Sequence, residues 1–263
     1  MSRRYPPPAM PATERTRPAP AADVLARLRR EYPGADCSLD HAGAFQLLVS
    51  TILSAQCTDA RVNAVAPALF RRLPTPAAMA GAGPELEELI RPTGFFNAKA
   101  RSIRGACRVL LERHGGEVPR TMEELLLLPG VGRKTANVVL GNAYGAPEGV
   151  VVDTHVGRLA RRLAWSRHAD PEKVERDLNA LLPRGSWVFA GHALILHGRR
   201  VCSSRSPRCV ACLLADCCPK VGVAAQPAPS GRRASGAGAP PAKRSARSAR
   251  PARGRRASTR EGR

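Results

Sequence analysis

Residues 128–135 read Leu-Pro-Gly-Val-Gly-Arg-Lys-Thr, and residues 152–156 read Val-Asp-Thr-His-Val. The first run carries a primary amine and the second a carboxylate, a pair suited to nucleophilic attack with an assisting carboxylate. Gly130 and Gly132 permit positive φ and let the backbone approach a ligand closely. A helix opening directly after them leaves its first N–H groups free at an end of partial positive charge, which makes an anion site. Lys134 falls in the first turn of that helix. A cation is electrostatically misplaced there, which favours the uncharged, nucleophilic amine. Asp153 followed by Thr154 also reads as an ordinary helix N-cap. The two roles are compatible, because a cap fixes where the carboxylate points. His155 supports the same turn. Taken alone, the glycine hairpin also fits a helix connector or a non-catalytic DNA clamp.

A second chemistry gathers further on. Five of the eight cysteines crowd into residues 202–218, with the spacing Cys202-x6-Cys209-x2-Cys212-x5-Cys218 and Cys217 beside the last. In a reducing compartment such a group is a metal site rather than a disulfide framework. Four thiolates suit either zinc or an iron–sulfur cluster, and the spacing leaves both open. Either Cys217 or Cys218 reaches as the fourth ligand. Arg205 and Arg208 lie between the first two ligands, in a basic loop placed to touch phosphates. Cys37, Cys57 and Cys107 are scattered and read as small buried apolar residues.

The 263 residues carry a formal net charge of +21. Residues 222–263 hold eleven Lys or Arg against the single acid Glu261, and residues 1–22 hold four Arg against Glu14. A surplus of this size points to a polyanion, and nucleic acid is the commonest. Residues 1–20 and 222–263 are rich in Pro, Ala, Arg, Ser and Gly and are expected to be disordered. No signal-peptide core or membrane-length apolar run is present, so a cytoplasmic, nucleoid-associated monomer is expected.

The elements that must position these groups read as helices almost throughout, and an all-α fold is expected. An amphipathic run begins near Ala22 and ends at Pro33-Gly34. Ala44–Ser54 is apolar enough to be a buried helix. Thr58-Asp59 caps the run ARVNAVAPALFRRL, and Pro74-Thr75-Pro76 breaks it. Pro84 opens ELEELIRP. A helical repeat over Ala98–His114 closes on Gly115-Gly116, and Thr121 with Glu124 makes a capping box.

The strings LPGVGRKTANVVL and VVDTHVGRLARR resemble the helix–hairpin–helix DNA glycosylases, most closely the endonuclease III family. The resemblance covers about residues 23–220. It implies two helical lobes flanking a DNA cleft: a six-helix lobe at 39–146 with the hairpin motif at 121–140, and a second lobe combining 21–38 with 147–220. It implies a 4Fe–4S cluster on Cys202, Cys209, Cys212 and Cys218. It makes Lys134 the nucleophile and Asp153 its assistant in removing oxidised pyrimidines from duplex DNA, with cleavage at abasic sites through a lysine Schiff base. Such chemistry requires the base to leave the stack. Gln56, in Ser-Ala-Gln-Cys-Thr-Asp, matches the residue that fills the vacated space. Phe95 matches the wedge in the opposite strand, although an aliphatic residue is common there and ordinary core packing is the alternative for Phe95 and Phe96. Gly130, Val131, Gly132, Arg133, His155, Arg205 and Arg208 complete the expected DNA contacts. An adenine glycosylase of the same fold is the nearest rival, but its hairpin typically lacks the lysine. A non-enzymatic iron–sulfur DNA-binding protein is the rival from another class.

Overall fold

The computed structural model describes residues 17–224, and all regular structure among them is helical. The helices are α1 Ala21–Glu31, α2 Ala44–Leu53, α3 Asp59–Arg72, α4 Pro76–Gly81, α5 Glu85–Ile90, α6 Phe96–His114, α7 Met122–Leu126, α8 Arg133–Ala143, α9 Thr154–Arg162, α10 Pro171–Leu181 and α11 Trp187–Arg200. Their ends follow local chemistry. Thr58, Thr75, Thr121, Asp153 and Asp170 each cap a helix start by accepting N–H groups of the first turn, which satisfies donors that would otherwise be orphaned. Helix α6 closes on Gly115, which takes the left-handed conformation at φ 60°.

The buried apolar residues form two clusters. One runs from Leu39 to Leu140 and is built on α2–α8. Its centre is α2, whose residues Leu47–Leu53 are all buried. This region holds seven helices rather than the six the resemblance implies, because α4, α5 and α7 are short separate pieces. The other cluster joins Ala19, Val24, Leu25, Leu28 and Tyr32 to residues between Val150 and Leu214. Thus α1 packs with the C-terminal helices, which begin 123 residues further along the chain, from Glu31 to Thr154. Ala19 is fixed at both ends: its N–H donates to Leu163 O at 3.0 Å, and its carbonyl accepts from Trp165 Nε1 at 2.8 Å. Order therefore begins before residue 20, because this backbone is hydrogen-bonded into the core. The remainder of the expected N-terminal extension, and the basic tail from residue 225, lie outside the described residues.

Polar contacts also join the two clusters. Arg133 pairs with Glu175, Asn142 with His192, and Asp59 with Arg199. No helix among the described residues is long and apolar enough to cross a membrane.

Candidate active site and DNA-facing loops

The hairpin is a tight turn in which Val131 N donates to Leu128 O at 3.1 Å. Pro129 followed by Gly130 at φ 79° has the sequence and sign of a type II turn. Gly130 is also sterically required, since a Cβ there would come within 2.6 Å of Ser102 Cβ on α6. Gly132 is the N-cap of α8 and supplies no side-chain cap. The N–H groups of Gly130 and Gly132 have no acceptor among the described residues, but the Val131 N–H is used by the turn and its side chain is buried. The open anion site is thus Gly130, Gly132 and the start of α8, without the Val131 amide.

Lys134 lies in the first turn of α8 and is exposed. Its neighbour Arg133 departs from the expected phosphate contact. Its Nε and NH2 donate to both oxygens of Glu175 on α10, at 3.1 and 2.8 Å, so this guanidinium ties the hairpin to the other cluster.

Asp153 caps α9. Its Oδ1 accepts from both His155 N and Val156 N at 2.8 Å. Oδ2 has no hydrogen-bond partner among the described residues, so one oxygen fixes the carboxylate and the other is left for a ligand. Asn137 ties the lysine helix to the loop that leads into this cap. The side chain is buried, donates from Nδ2 to Gly149 O at 2.7 Å, and accepts from Glu148 N at 3.0 Å. Asn137 is about 4.5 Å along the helix axis from Lys134, and Gly149 is four residues from Asp153, at most about 14 Å of chain. Nothing in the local pattern of residues marks Asn137, because its partners are eleven and twelve residues away across a loop.

Gln56 and Phe95 share an unusual backbone. Both are left-handed, at φ 51° and φ 48°, which is costly for side chains carrying a Cβ. Gln56 is exposed, and its side chain makes no hydrogen bond among the described residues, so it does not satisfy its own loop. Phe95 is 67% exposed. Phe96 does what core packing asked of both: it lies against the first apolar cluster with Arg91 stacked 5.3 Å over its ring. Phe96→Ala should therefore cost about 1–2 kcal/mol of stability, less than a fully buried Phe because the ring is half-buried. Phe95→Ala should leave the melting temperature unchanged and slow base excision. Thermal melts and single-turnover rates on the two variants separate these outcomes.

The cysteine loop hangs from α9 and α11. Arg158 donates from Nε and NH2 to Cys202 O at 3.1 and 3.0 Å, and also from NH2 to Gly198 O and His155 Nδ1. Arg162, buried, donates to Ser203 O at 2.7 Å, Ser204 O at 2.9 Å and Cys202 Sγ at 3.1 Å. With His155 these side chains form the face of α9 at i, i+3 and i+7, turned to the loop. Gly198 lets α11 approach this face, since a Cβ there would lie 2.9 Å from His155 Cβ. The helix that Asp153 caps is therefore the helix that anchors the cysteine loop.

Cys202, Cys209, Cys212 and Cys218 lie within electrostatic reach of one another. Cys212 is pushed up to about 11 by burial, and the proximity of Cys202, Cys218 and Cys209 adds to it. Cys218 is likewise raised by burial and by Cys202 and Cys209. Cys217 is raised by burial too, but the charges beside it are those of Arg27, Asp216 and Asp23. No three metal-binding side chains among the described residues converge as ligands of a single ion do. Donors aim at the sulfurs: Arg162 at Cys202, and Leu214 N and His197 Nε2 at Cys212, the last two at 3.4 and 3.3 Å. Burial lowers His197 to about 4, so the ring is neutral. Its Nδ1 lies 3.0 Å from Tyr32 Oη and its Nε2 3.3 Å from Cys212 Sγ, so the single N–H of the neutral ring serves one of these two partners. Arg205 makes no hydrogen bond or ion pair among the described residues, whereas Arg208 donates to Arg200 O.

Residues 49–184 match the family described as the HhH-GPD superfamily base excision DNA repair protein. Endonuclease III of Synechocystis sp. is 56% identical over 200 residues, covering 76% of this chain and 91% of that protein. Endonuclease III of Escherichia coli is 43% identical, covering 74% and 93%. The solved structure of a trapped endonuclease III–DNA covalent intermediate superposes with a TM-score of 0.71 at 42% identity, covering 75% of this chain and 93% of that one. A similarity that runs through both apolar clusters and spans nearly the whole of each relative places the chain in the endonuclease III family of the HhH-GPD superfamily.

Proposed function

We propose that this chain is a bifunctional DNA glycosylase and abasic-site lyase that removes oxidised pyrimidines from duplex DNA. The observation that carries the proposal is the exposed amine of Lys134 at a helix start, with Asn137 of the same helix bonded to the loop that leads to Asp153, whose carboxylate has one oxygen held by its cap. The free amides at Gly130 and Gly132 and the start of α8 bind a backbone phosphate. Lys134 Nζ attacks C1′ of the extruded nucleotide, and the base leaves with the bonding electrons of the glycosidic bond. Asp153 Oδ2 takes the proton from the amine and stabilises charge developing on the sugar. The sugar ring opens to a Schiff base on Lys134, and the acidified C2′ proton is lost with expulsion of the 3′ phosphate. Water then releases the product and restores the free amine. Gln56 fills the vacated space and Phe95 enters the opposite strand.

The four neighbouring thiols of Cys202, Cys209, Cys212 and Cys218 support a 4Fe–4S cluster as the group they hold. Buried thiolates repel one another, so they need a multiply charged cationic group to hold them, and donors at Cys202 and Cys212 favour the ionised sulfurs. When bound, the cluster serves as a rigid staple for the basic loop carrying Arg205. The protein then acts on DNA in the cytoplasm.

Borohydride trapping on a duplex containing thymine glycol tests the reading, since only a Schiff base is reduced to a stable crosslink. Absence of a crosslink under conditions of full base release would show a glycosylase without the lysine chemistry. A related expectation separates the two duties of Asp153. Asp153→Asn retains the Oδ1 cap, so the melting temperature should change little, while base excision slows by about 10²-fold or more. Asp153→Ala should lose the cap as well, at about 1 kcal/mol. Equal activity per folded molecule in Asp153→Asn and the wild type would leave capping as the only task.

A further inference from the structure

Lys99 is the one lysine of the described residues that is buried, at 5% exposure. No carboxylate pairs with it among the described residues. Its Nζ donates to Leu53 O at 2.8 Å and to Thr93 O at 2.8 Å. These two carbonyls end different elements, each leading into a different loop. Leu53 is the last residue of α2, three residues before Gln56. Thr93 ends the short 3-10 turn at 91–93, two residues before Phe95.

The local geometry explains how one side chain reaches both. Lys99 lies one turn into α6, with its N–H bonded to Phe95 O at 3.1 Å. Helical side chains lean towards the N-terminus, so the Lys99 stem runs back over the Phe95 turn. The ammonium there meets the C-terminal end of α2, whose partial negative charge and unpaired carbonyl favour a cation. Burial of an unpaired ammonium is expensive. An apolar residue of the same length would fill the space at lower cost, so apolar filling does not account for the charge. What the charge adds is a bond to each of two strained loops.

We propose that Lys99 is a positioning residue that couples the plug and the wedge. Through one ammonium it locks the loops of Gln56 and Phe95 into a single unit, so that the two side chains enter the duplex together. The proposal rests on the reading that Gln56 and Phe95 are the residues that enter. Without Lys99 each loop keeps its local bonds, such as Cys57 N to Ser54 O at 3.1 Å and Gly94 N to Arg91 O at 3.2 Å, but loses the ammonium that the two share.

The test is a double-mutant cycle on full-length protein, with single-turnover excision of thymine glycol from duplex DNA as the readout. Gln56→Ala and Phe95→Ala are made singly and together, in the wild type and in Lys99→Met. In the wild type the two should be non-additive: the product of the single losses exceeds the double loss by about fivefold or more. In Lys99→Met the same cycle should become multiplicative within about twofold. Lys99→Arg, which still offers donors to both carbonyls, should restore part of the coupling. Undiminished coupling in Lys99→Met overturns the proposal while leaving the plug and wedge intact. Full activity of both single variants in the wild type overturns the duplex-entry reading and, with it, the coupling. If Lys99→Met does not fold, hydrogen exchange on the wild type decides. The amides of Cys57 and Gly94 should open together, with equal protection and equal denaturant dependence. Independent opening would sink the proposal.

Discussion

Lys134→Ala is expected to abolish borohydride trapping and strand cleavage on a thymine glycol duplex, while binding the same DNA within about tenfold of wild type. Loss of a covalent nucleophile removes the reaction path itself, so the fall in rate should reach several orders of magnitude. The structure says why this should be a clean loss. The Lys134 side chain is exposed and has no hydrogen bond or ion pair among the described residues, so folding does not depend on it. Alanine is the best helix former, and removing a cation from a helix start relieves a small unfavourable interaction. The melting temperature should therefore hold or rise slightly. Phosphate binding by the amides of Gly130, Gly132 and the first turn of α8 uses backbone and should persist. Melts, anisotropy and single-turnover cleavage on one preparation check all three statements. Full cleavage by Lys134→Ala would remove the lysine from the chemistry. A parallel loss of melting temperature and activity would make it a structural residue.

Much of the local architecture is legible in the sequence because it depends on neighbours. Thr58, Thr121 and Asp153 cap the helices that follow them, and Gly115 ends α6 with a left-handed residue. The buried character of α2 is evident from its apolar run. What is not legible depends on partners far along the chain. Lys99 meets Leu53 across 46 residues and Arg162 meets Cys202 across 40, and helical periodicity records a face without naming what covers it. Phe95 and Phe96 are identical in composition and adjacent in sequence. A single backbone turn at φ 48° sends one outward and leaves the other against the core. Arg133 follows the same logic. Beside the hairpin it reads as a phosphate ligand, but Glu175 reaches it from α10 and claims two of its three nitrogens.

The adjacent pair Cys217-Cys218 poses the same problem with a larger consequence. Spacing alone lets either serve as the fourth ligand, but their surroundings differ. Cys218 is influenced by Cys202 and Cys209, and its Sγ lies 3.6 Å from Arg162 O, on the side where Arg162 also reaches Cys202. Cys217 is turned towards Arg27, which is paired with Asp216 and Asp23. Protein purified without oxygen should be yellow-brown and hold about four irons per chain. Cys218→Ser should lose the iron and the visible absorption together, and the melting temperature should fall sharply, because ligand binding energy contributes directly to folding. The damage should spread beyond the loop. Leu214, between the ligands, is buried in the second apolar cluster, and Val221 N donates to Arg162 O at 3.2 Å, so the segment closes that cluster from outside. Cys217→Ser should keep iron, colour and melting temperature, since serine also donates to Leu214 O, the acceptor that Cys217 Sγ uses at 3.6 Å. Iron analysis, absorption spectra and melts on the two variants decide the matter. Stoichiometric zinc without iron in the wild type would replace the cluster with a single-ion site. Iron lost from Cys217→Ser and retained by Cys218→Ser would exchange the roles of the two thiols.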